Sequence, residues 1–296
     1  MHVWQNWQTR GSGPFICTTD RKSEAFRFFS ILDELKEVRN MFSQADIWKI
    51  AMEQSAWDNN CRPEDFSKNE NVVVSHRLEV RSRKYLREPI ACNFISYGGN
   101  LVASVKDEYR AVAEEYIGKF EYFHCFETPN LHWLNDRLVP MGQKVCFMAE
   151  YFLPDLSKLR RLPCRYELRV LAPADFESLY LPQWSNALCE DRKELDVIGM
   201  GAYDGEKLVG FAGASADGEE MWQIGIDVLP EYRRQGIASA LTSGLAVEIL
   251  ERGKVPFYCC AWSNIASARN AVKSGFVPAW AEMTVKPSAK VDGMNK

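Results

Sequence analysis

Hydrophobic and polar positions alternate most clearly in the second half of the chain. Ile224, Ile226 and Val228 are interleaved with Gly225 and Asp227, the pattern of a half-buried strand, and Pro230 closes it. The period then lengthens. Ile237, Leu241, Leu245 and Ile249 fall on one helical stripe that ends at Gly253, a residue suited to a helix C-terminus. Residues 255–262 form a short apolar run that reads as a second buried strand, and Ser263 or Asn264 can cap the helix that follows. That helix ends at Gly275-Phe276, and residues 277–285 return as a strand, giving the order strand, helix, strand, helix, strand.

A similar order is expected earlier, with strands at 100–105, 122–126 and 144–152 and helices at 107–119 and 129–142. Val105-Lys-Asp-Glu-Tyr-Arg110 also shares four of its six residues with Val228-Leu-Pro-Glu-Tyr-Arg233.

The junction between the strand ending at Val228 and the helix after it carries the chemistry. The first turn of a helix has N–H groups without intrahelical partners, and a glycine lets an anion approach them closely. Arg233-Arg234-Gln235-Gly236-Ile237-Ala238-Ser239 therefore reads as a cradle for a pyrophosphate, with arginines on its flank. The dinucleotide fingerprint G-x-G-x-x-G is absent.

On these residues the chain resembles the GNAT (GCN5-related N-acetyltransferase) family over about Tyr166 to Lys286. Arg233 to Ala238 is similar to the family's acyl-CoA pyrophosphate motif, and Asn264 to Phe276 to its second motif, which ends in Gly-Phe. Residues 166–171 suit the family's first strand, 175–195 its two helices, and 197–217 a hairpin turning at Asp204-Gly205. The fold expected is α/β with a mixed sheet: a GNAT acyl-CoA transferase fold over 166–296, and a degenerate GNAT-like domain over 26–155. Residues 1–25 are expected to be loose and 156–165 to form the linker. In the degenerate copy Arg110-Ala-Val-Ala-Glu-Glu115 replaces the cradle, with no glycine and two carboxylates that would repel phosphate.

The resemblance implies direct acetyl transfer from acetyl-CoA to an amine in one ternary complex. The pantetheine arm would pair with the strand ending at Val228, and N–H groups near Ile226 and Val228 would stabilise charge on the thioester oxygen. Asn264 and Ser267 would contact the far side of the pantetheine or phosphate chain, and Asn264 serves equally as a helix cap. The attacking amine must lose a proton, so a base or a water path is expected. Glu219, Glu220 and Asp227 are the carboxylates near the central strand. Glu220 is nominated, although it stands two residues out of register with the family's glutamate. Any imidazole base must come from the first half of the chain, where His124 and His132 are available, because no histidine follows His132. Where relatives place an acidic tyrosine this chain has Ala271, which leaves Tyr258, Ser267 or unassisted thiolate release.

Composition sets the surroundings. With 296 residues, 46% hydrophobic and 26% charged, the chain can bury sizeable cores. Nine cysteines without a C-x-x-C pair suggest reduced thiols in the cytoplasm, with no metal site. The net charge of −4 gives no reason to expect nucleic acid, and no run is long enough to cross a membrane. Arg77, Arg81, Arg83, Lys84 and Arg87 make one basic stretch, expected to be a solvated edge or loop. If the first half caps the acyl slot, Phe126, Glu127 and Tyr151 would line an acceptor pocket between the halves. The expected acceptor is a small-molecule amine and the expected assembly a monomer or homodimer. A peptide acceptor, or a CoA-binding sensor without turnover, remains open.

Overall fold

A computed structural model describes residues 35–84 and 90–294. The segment expected to be loose, 1–25, and Arg87 lie outside the described residues. Helix α1 spans Lys36–Met41 and α2 spans Gln44–Asn59, started by a reciprocal box in which Ser43 and Asp46 satisfy each other's backbone N–H. Strands β1 (Val72–Ser75), β2 (Cys92–Ser96) and β3 (Val102–Val105) follow, then α3 (Arg110–Lys119), α4 (Thr128–Leu138) and the long β4 (Gln143–Pro154). The second half contributes β5 (Glu167–Leu171), β6 (Asp196–Asp204), β7 (Lys207–Ser215), β8 (Met221–Val228), α5 (Ile237–Glu251), β9 (Val255–Ala261), α6 (Ile265–Lys273), β10 (Phe276–Pro287) and α7 (Ser288–Gly293).

The ten strands of the described residues join one mixed sheet in the order β1-β3-β2-β10-β4-β9-β8-β7-β6-β5. Among the described residues only β1/β3 and β8/β9 pair parallel. The expected boundary at 156–165 does not divide this sheet. β4, from the first half, lies between β9 and β10 of the second and pairs with both, while β10 also pairs with β2. Burial explains the arrangement. A large core holds Leu241, Leu245 and Ile249 of α5 against Ile198, Val209 and Phe257, and a smaller one gathers Phe94, Tyr116 and Leu134 against Met283 and Val285 of β10. Each such side chain contributes about 1.5–3 kcal/mol on burial. No helix among the described residues is long and apolar enough to cross a membrane.

Three expectations are corrected. Residues 122–126 are a 3-10 turn and not a strand, because β3 already has β1 on one side and β2 on the other, leaving no edge to pair with. The element order of the expected degenerate copy is broken at that point. Residues 175–195 hold short 3-10 turns in place of two helices. Pro173 and Pro182 start two of them, and the chain stays in turns to lie flat on the sheet. Finally, the basic stretch is not all solvated: Arg83 is 2% exposed and forms ion pairs with the equally buried Asp58 and Glu282.

Candidate active site

The site begins where β8 and β9 part. They are in register from Met221 with Val255 to Ile224 with Tyr258, and no pairing continues beyond, although β8 stays paired with β7 as far as Val228. Residues Ile226 to Val228 thus have a partner strand on one side only. The opening leads into a cavity of about 980 Å³ lined by Ile224, Ile226 and Val228 on one side and Tyr258, Cys259 and Cys260 on the other.

At its mouth lies the turn 233–239. A 3-10 turn at Pro230–Tyr232 ends β8, Arg234 and Gly236 take left-handed φ of 62° and 83°, and α5 starts at Ile237. Gly236 is the N-cap and supplies no side-chain acceptor, so the first N–H groups of α5 stay open to the cavity. Arg233 donates through Nε to the Val228 carbonyl at 3.0 Å, fixing the turn to the strand it leaves. Gln235 is held from outside, its Oε1 accepting from the Tyr166 hydroxyl at 3.0 Å. Arg233, Arg234, Gly236, Ile237, Ala238 and Ser239 all line the cavity; Gln235 does not.

The opposite wall is α6. Asn264 caps it by accepting from the Ser267 N–H at 3.2 Å, and the Ser267 hydroxyl lies 2.7 Å from that of Tyr258. Burial raises the Tyr258 pKa above its ordinary value, against the opposing effect of the Ser267 hydrogen bond. Sequence reasoning missed Arg269 and Lys273, which line the cavity from α6 and add two cations to the arginine pair. Their spacing of four residues, in step with Ala266 and Asn270 on the same helix face, was the available signal.

The nominated base is not in this cavity. Glu220 precedes the first paired residue of β8, at the closed end, where Lys254 holds its carboxylate at 3.2 Å. Asp227 does line the cavity, but its oxygens accept from the Asn186 N–H (2.9 Å), the Asn186 side-chain amide (2.6 Å) and the Ala187 N–H (3.1 Å). It is the anchor of a turn. Glu219, His124 and His132 stand outside the lining.

That turn lies on a floor of glycine. Gly213 of β7 and Gly225 of β8 are register partners, and a Cβ on either would come within 2.0 Å or 1.8 Å of the carbonyl oxygens of Ala187 and Asn186. Asn186 is thereby brought into the cavity lining.

A second cavity, of about 490 Å³, lies between the halves and is lined by Phe126, Glu150, Trp262 and Trp280 among others. Of the acceptor-pocket residues expected there, Phe126 is in the lining while Glu127 and Tyr151 are not.

Residues 143–280 match the family model described as GNAT acetyltransferase. The match therefore starts at β4, ahead of the expected linker. Among solved structures, the chain is similar to an acetyltransferase of the GNAT family from Novosphingobium aromaticivorans, with 19% identity over 50% of this chain and 68% of that one and a TM-score of 0.36. A GCN5-related N-acetyltransferase-like protein from Streptococcus suis gives 20% identity over 53% and 69%, with a TM-score of 0.41. An aminoglycoside N-acetyltransferase in complex with CoA gives 19% over 40% and 91%, with a TM-score of 0.32. No curated protein matches the chain.

Proposed function

We propose that the chain, whose residues 143–280 match the GNAT acetyltransferase family model, transfers the acetyl group of acetyl-CoA to the primary amine of a small molecule, with both substrates held in one ternary complex. The observation that carries this reading is the parting of β8 and β9 after Ile224 and Tyr258, with a cation-flanked helix start at the mouth of the gap. The diphosphate sits on the N–H groups of the turn 233–239, covered by Arg233 and Arg234, with Arg269 and Lys273 facing it from α6. The pantetheine takes the unpaired side of β8 beside Ile226 and Val228, as an added strand. The thioester then lies deep in the gap, near Tyr258.

There the nitrogen of a neutral amine attacks the carbonyl carbon, a C–N bond forms, the nitrogen releases one proton to water, the C–S bond breaks, and the thiolate accepts a proton. Tyr258 is the donor the geometry supports. Tyr258 lines the gap, and its hydroxyl is hydrogen-bonded with that of Ser267. Ala271 is wholly buried, so no donor projects from that position. A sensor without turnover is the second reading, and it rests on that missing side chain.

The test is release of free thiol from acetyl-CoA on mixing with a panel of amines. Turnover that Arg233→Glu abolishes, while the variant keeps its melting temperature, is expected. Binding of acetyl-CoA without thiol release on any amine would leave the sensor. Unchanged acetyl-CoA affinity in Arg233→Glu would remove the phosphate assignment itself.

A further inference from the structure

The second cavity is built differently from the first. Its lining holds one charged residue, Glu150 of β4, among aromatic rings supplied by both halves of the chain. On one side Phe126 stacks on Trp262, with ring centres 5.8 Å apart and planes 18° from parallel. On the other Tyr97 stacks on Trp280 at 5.4 Å and 19°. The second pair is fixed in place: the Trp280 indole N–H donates to the buried Glu282 at 2.9 Å, and the Tyr97 hydroxyl lies 2.8 Å from that of Ser55. Trp262 is 47% exposed, an unusual fraction for a tryptophan already stacked on another ring.

No cation among the described residues pairs with Glu150. Burial pushes its carboxyl above the ordinary carboxylate range. A carboxylate without a partner, in a space lined by aromatic rings of which Trp262 is exposed, is complementary to an organic cation: an open ring face attracts positive charge and the carboxylate neutralises it. An anion or a neutral carbonyl compound gains neither interaction. The volume of about 490 Å³ is that of a small-molecule site.

Position ties this cavity to the acyl slot. Glu150 is the cross-strand partner of Cys260, and Cys260 lines the first cavity. Directly opposed residues on neighbouring antiparallel strands stand about 5 Å apart. A group held at Glu150 is therefore one strand away from the parted β8 and β9.

We propose that this inter-half cavity is the acceptor site, and that it selects a hydrophobic small-molecule amine in its ammonium form, with Glu150 as the charge partner and the exposed ring of Trp262 as the face that receives the cation, while Trp280, 4% exposed and stacked on both Tyr97 and Tyr151, forms the fixed wall behind it. This rests on the acetyltransferase reading above. Glu150 fills the place that Glu127 and Tyr151 were expected to fill.

The test uses the full chain and benzyltrimethylammonium, a permanent cation that cannot be acetylated, with binding followed by tryptophan fluorescence and calorimetry. Saturable binding is expected, weakened about tenfold or more by Glu150→Gln and by Trp262→Leu. Uncharged neopentylbenzene, of the same shape, should bind at least about tenfold less tightly than the cation. Acetyl-CoA affinity, measured on the same samples, reports that each variant is folded. In turnover, Glu150→Gln should raise KM for the amine far more than it lowers kcat. If benzyltrimethylammonium fails to bind, or binds equally well to both variants, the cation site is refuted even where amines are acetylated. If it binds as expected and no amine yields thiol, the site stands and the transferase reading falls. If a blocked lysine peptide displaces the probe and is acetylated in preference to free amines, the small-molecule assignment is overturned.

Discussion

Replacing Gly236 with alanine separates the fold of the phosphate turn from its function. Gly236 has φ +83°, and a Cβ built on it would meet no atom within 4 Å. The substitution therefore creates no clash, and its stability cost is the left-handed strain alone, about 1–2 kcal/mol. The open space that the methyl would enter is the cradle itself. A phosphate oxygen kept at carbon contact distance cannot also lie about 2.9 Å from the N–H donors beneath it. Each charge-assisted hydrogen bond so lost is worth about 1.5–3 kcal/mol, or roughly tenfold to over a hundredfold in affinity. Calorimetry with CoA reads this directly, and melting curves give a second measure. At a CoA concentration of about 100 times the wild-type Kd the wild type gains about 2.7 kcal/mol, whereas a variant binding about 100-fold more weakly gains only about 0.4 kcal/mol. Gly253, at the other end of α5, supplies the control: it has φ +72° and equally empty surroundings. Gly253→Ala should cost similar stability and leave CoA binding untouched. Wild-type CoA affinity in Gly236→Ala would refute the assignment of the pyrophosphate to this turn.

Three further outcomes are expected. Gly225→Ala forces the backbone at Asn186 off the sheet, since the new methyl would lie 1.8 Å from its carbonyl oxygen; urea unfolding should show a loss of about 1–3 kcal/mol, and an unchanged midpoint would mean the turn yields freely. Arg83→Met strips the cation from buried Asp58 and Glu282 and should cost about 3–5 kcal/mol at neutral pH. Burial already raises the Asp58 pKa, and Arg83 is the leading influence opposing that rise. Without Arg83 the folded pKa climbs further above the unfolded value near 4, so the stability carried by the protonated form is present below about pH 4 and lost as pH rises through the folded pKa. The deficit of Arg83→Met should thus shrink on acidification, and a deficit constant from pH 7 to 5 would contradict the pairing. Tyr258→Phe should lower kcat by about 10²-fold while leaving CoA affinity intact; a wild-type kcat would end its role as proton donor.

How much was legible in the sequence differs between elements. The segment from β8 to β10 was, because alternation, helical stripe and the Gly236 turn are local signals that agree with one another. The parting of β8 and β9 follows from the same segment, since α5 starts between the two strands. Glu220 stands at the entry to β8 as its sequence position indicates, but which end of the strand opens into the cavity is set by the pairing with β9, and at this closed end its carbonyl accepts from the Val255 N–H and its carboxylate meets Lys254. The aromatic run Tyr122 to Phe126 has the composition of a strand, but strand formation requires an unoccupied neighbour, and that is decided by β1 and β2 far away in the chain. Arg83 looked solvated for a similar reason. Its partner Glu282 lies 199 residues on, beyond the reach of any periodicity. Glu150 escaped notice because its value comes from which rings surround it, and those arrive from four separate stretches of sequence.

The place of β4 has a consequence for biosynthesis. The strand between β9 and β10 is made more than a hundred residues before either of them, and β10 also completes the pairing of β2. A nascent chain emerging from the ribosome must therefore carry β2 and β4 with open edges until residues 276–287 appear, and only then can either half close. Expression trials that start the chain at 166 would meet the same gap: β9 and β10 would have no strand to join them, and inclusion bodies rather than a smaller working enzyme are the expected product.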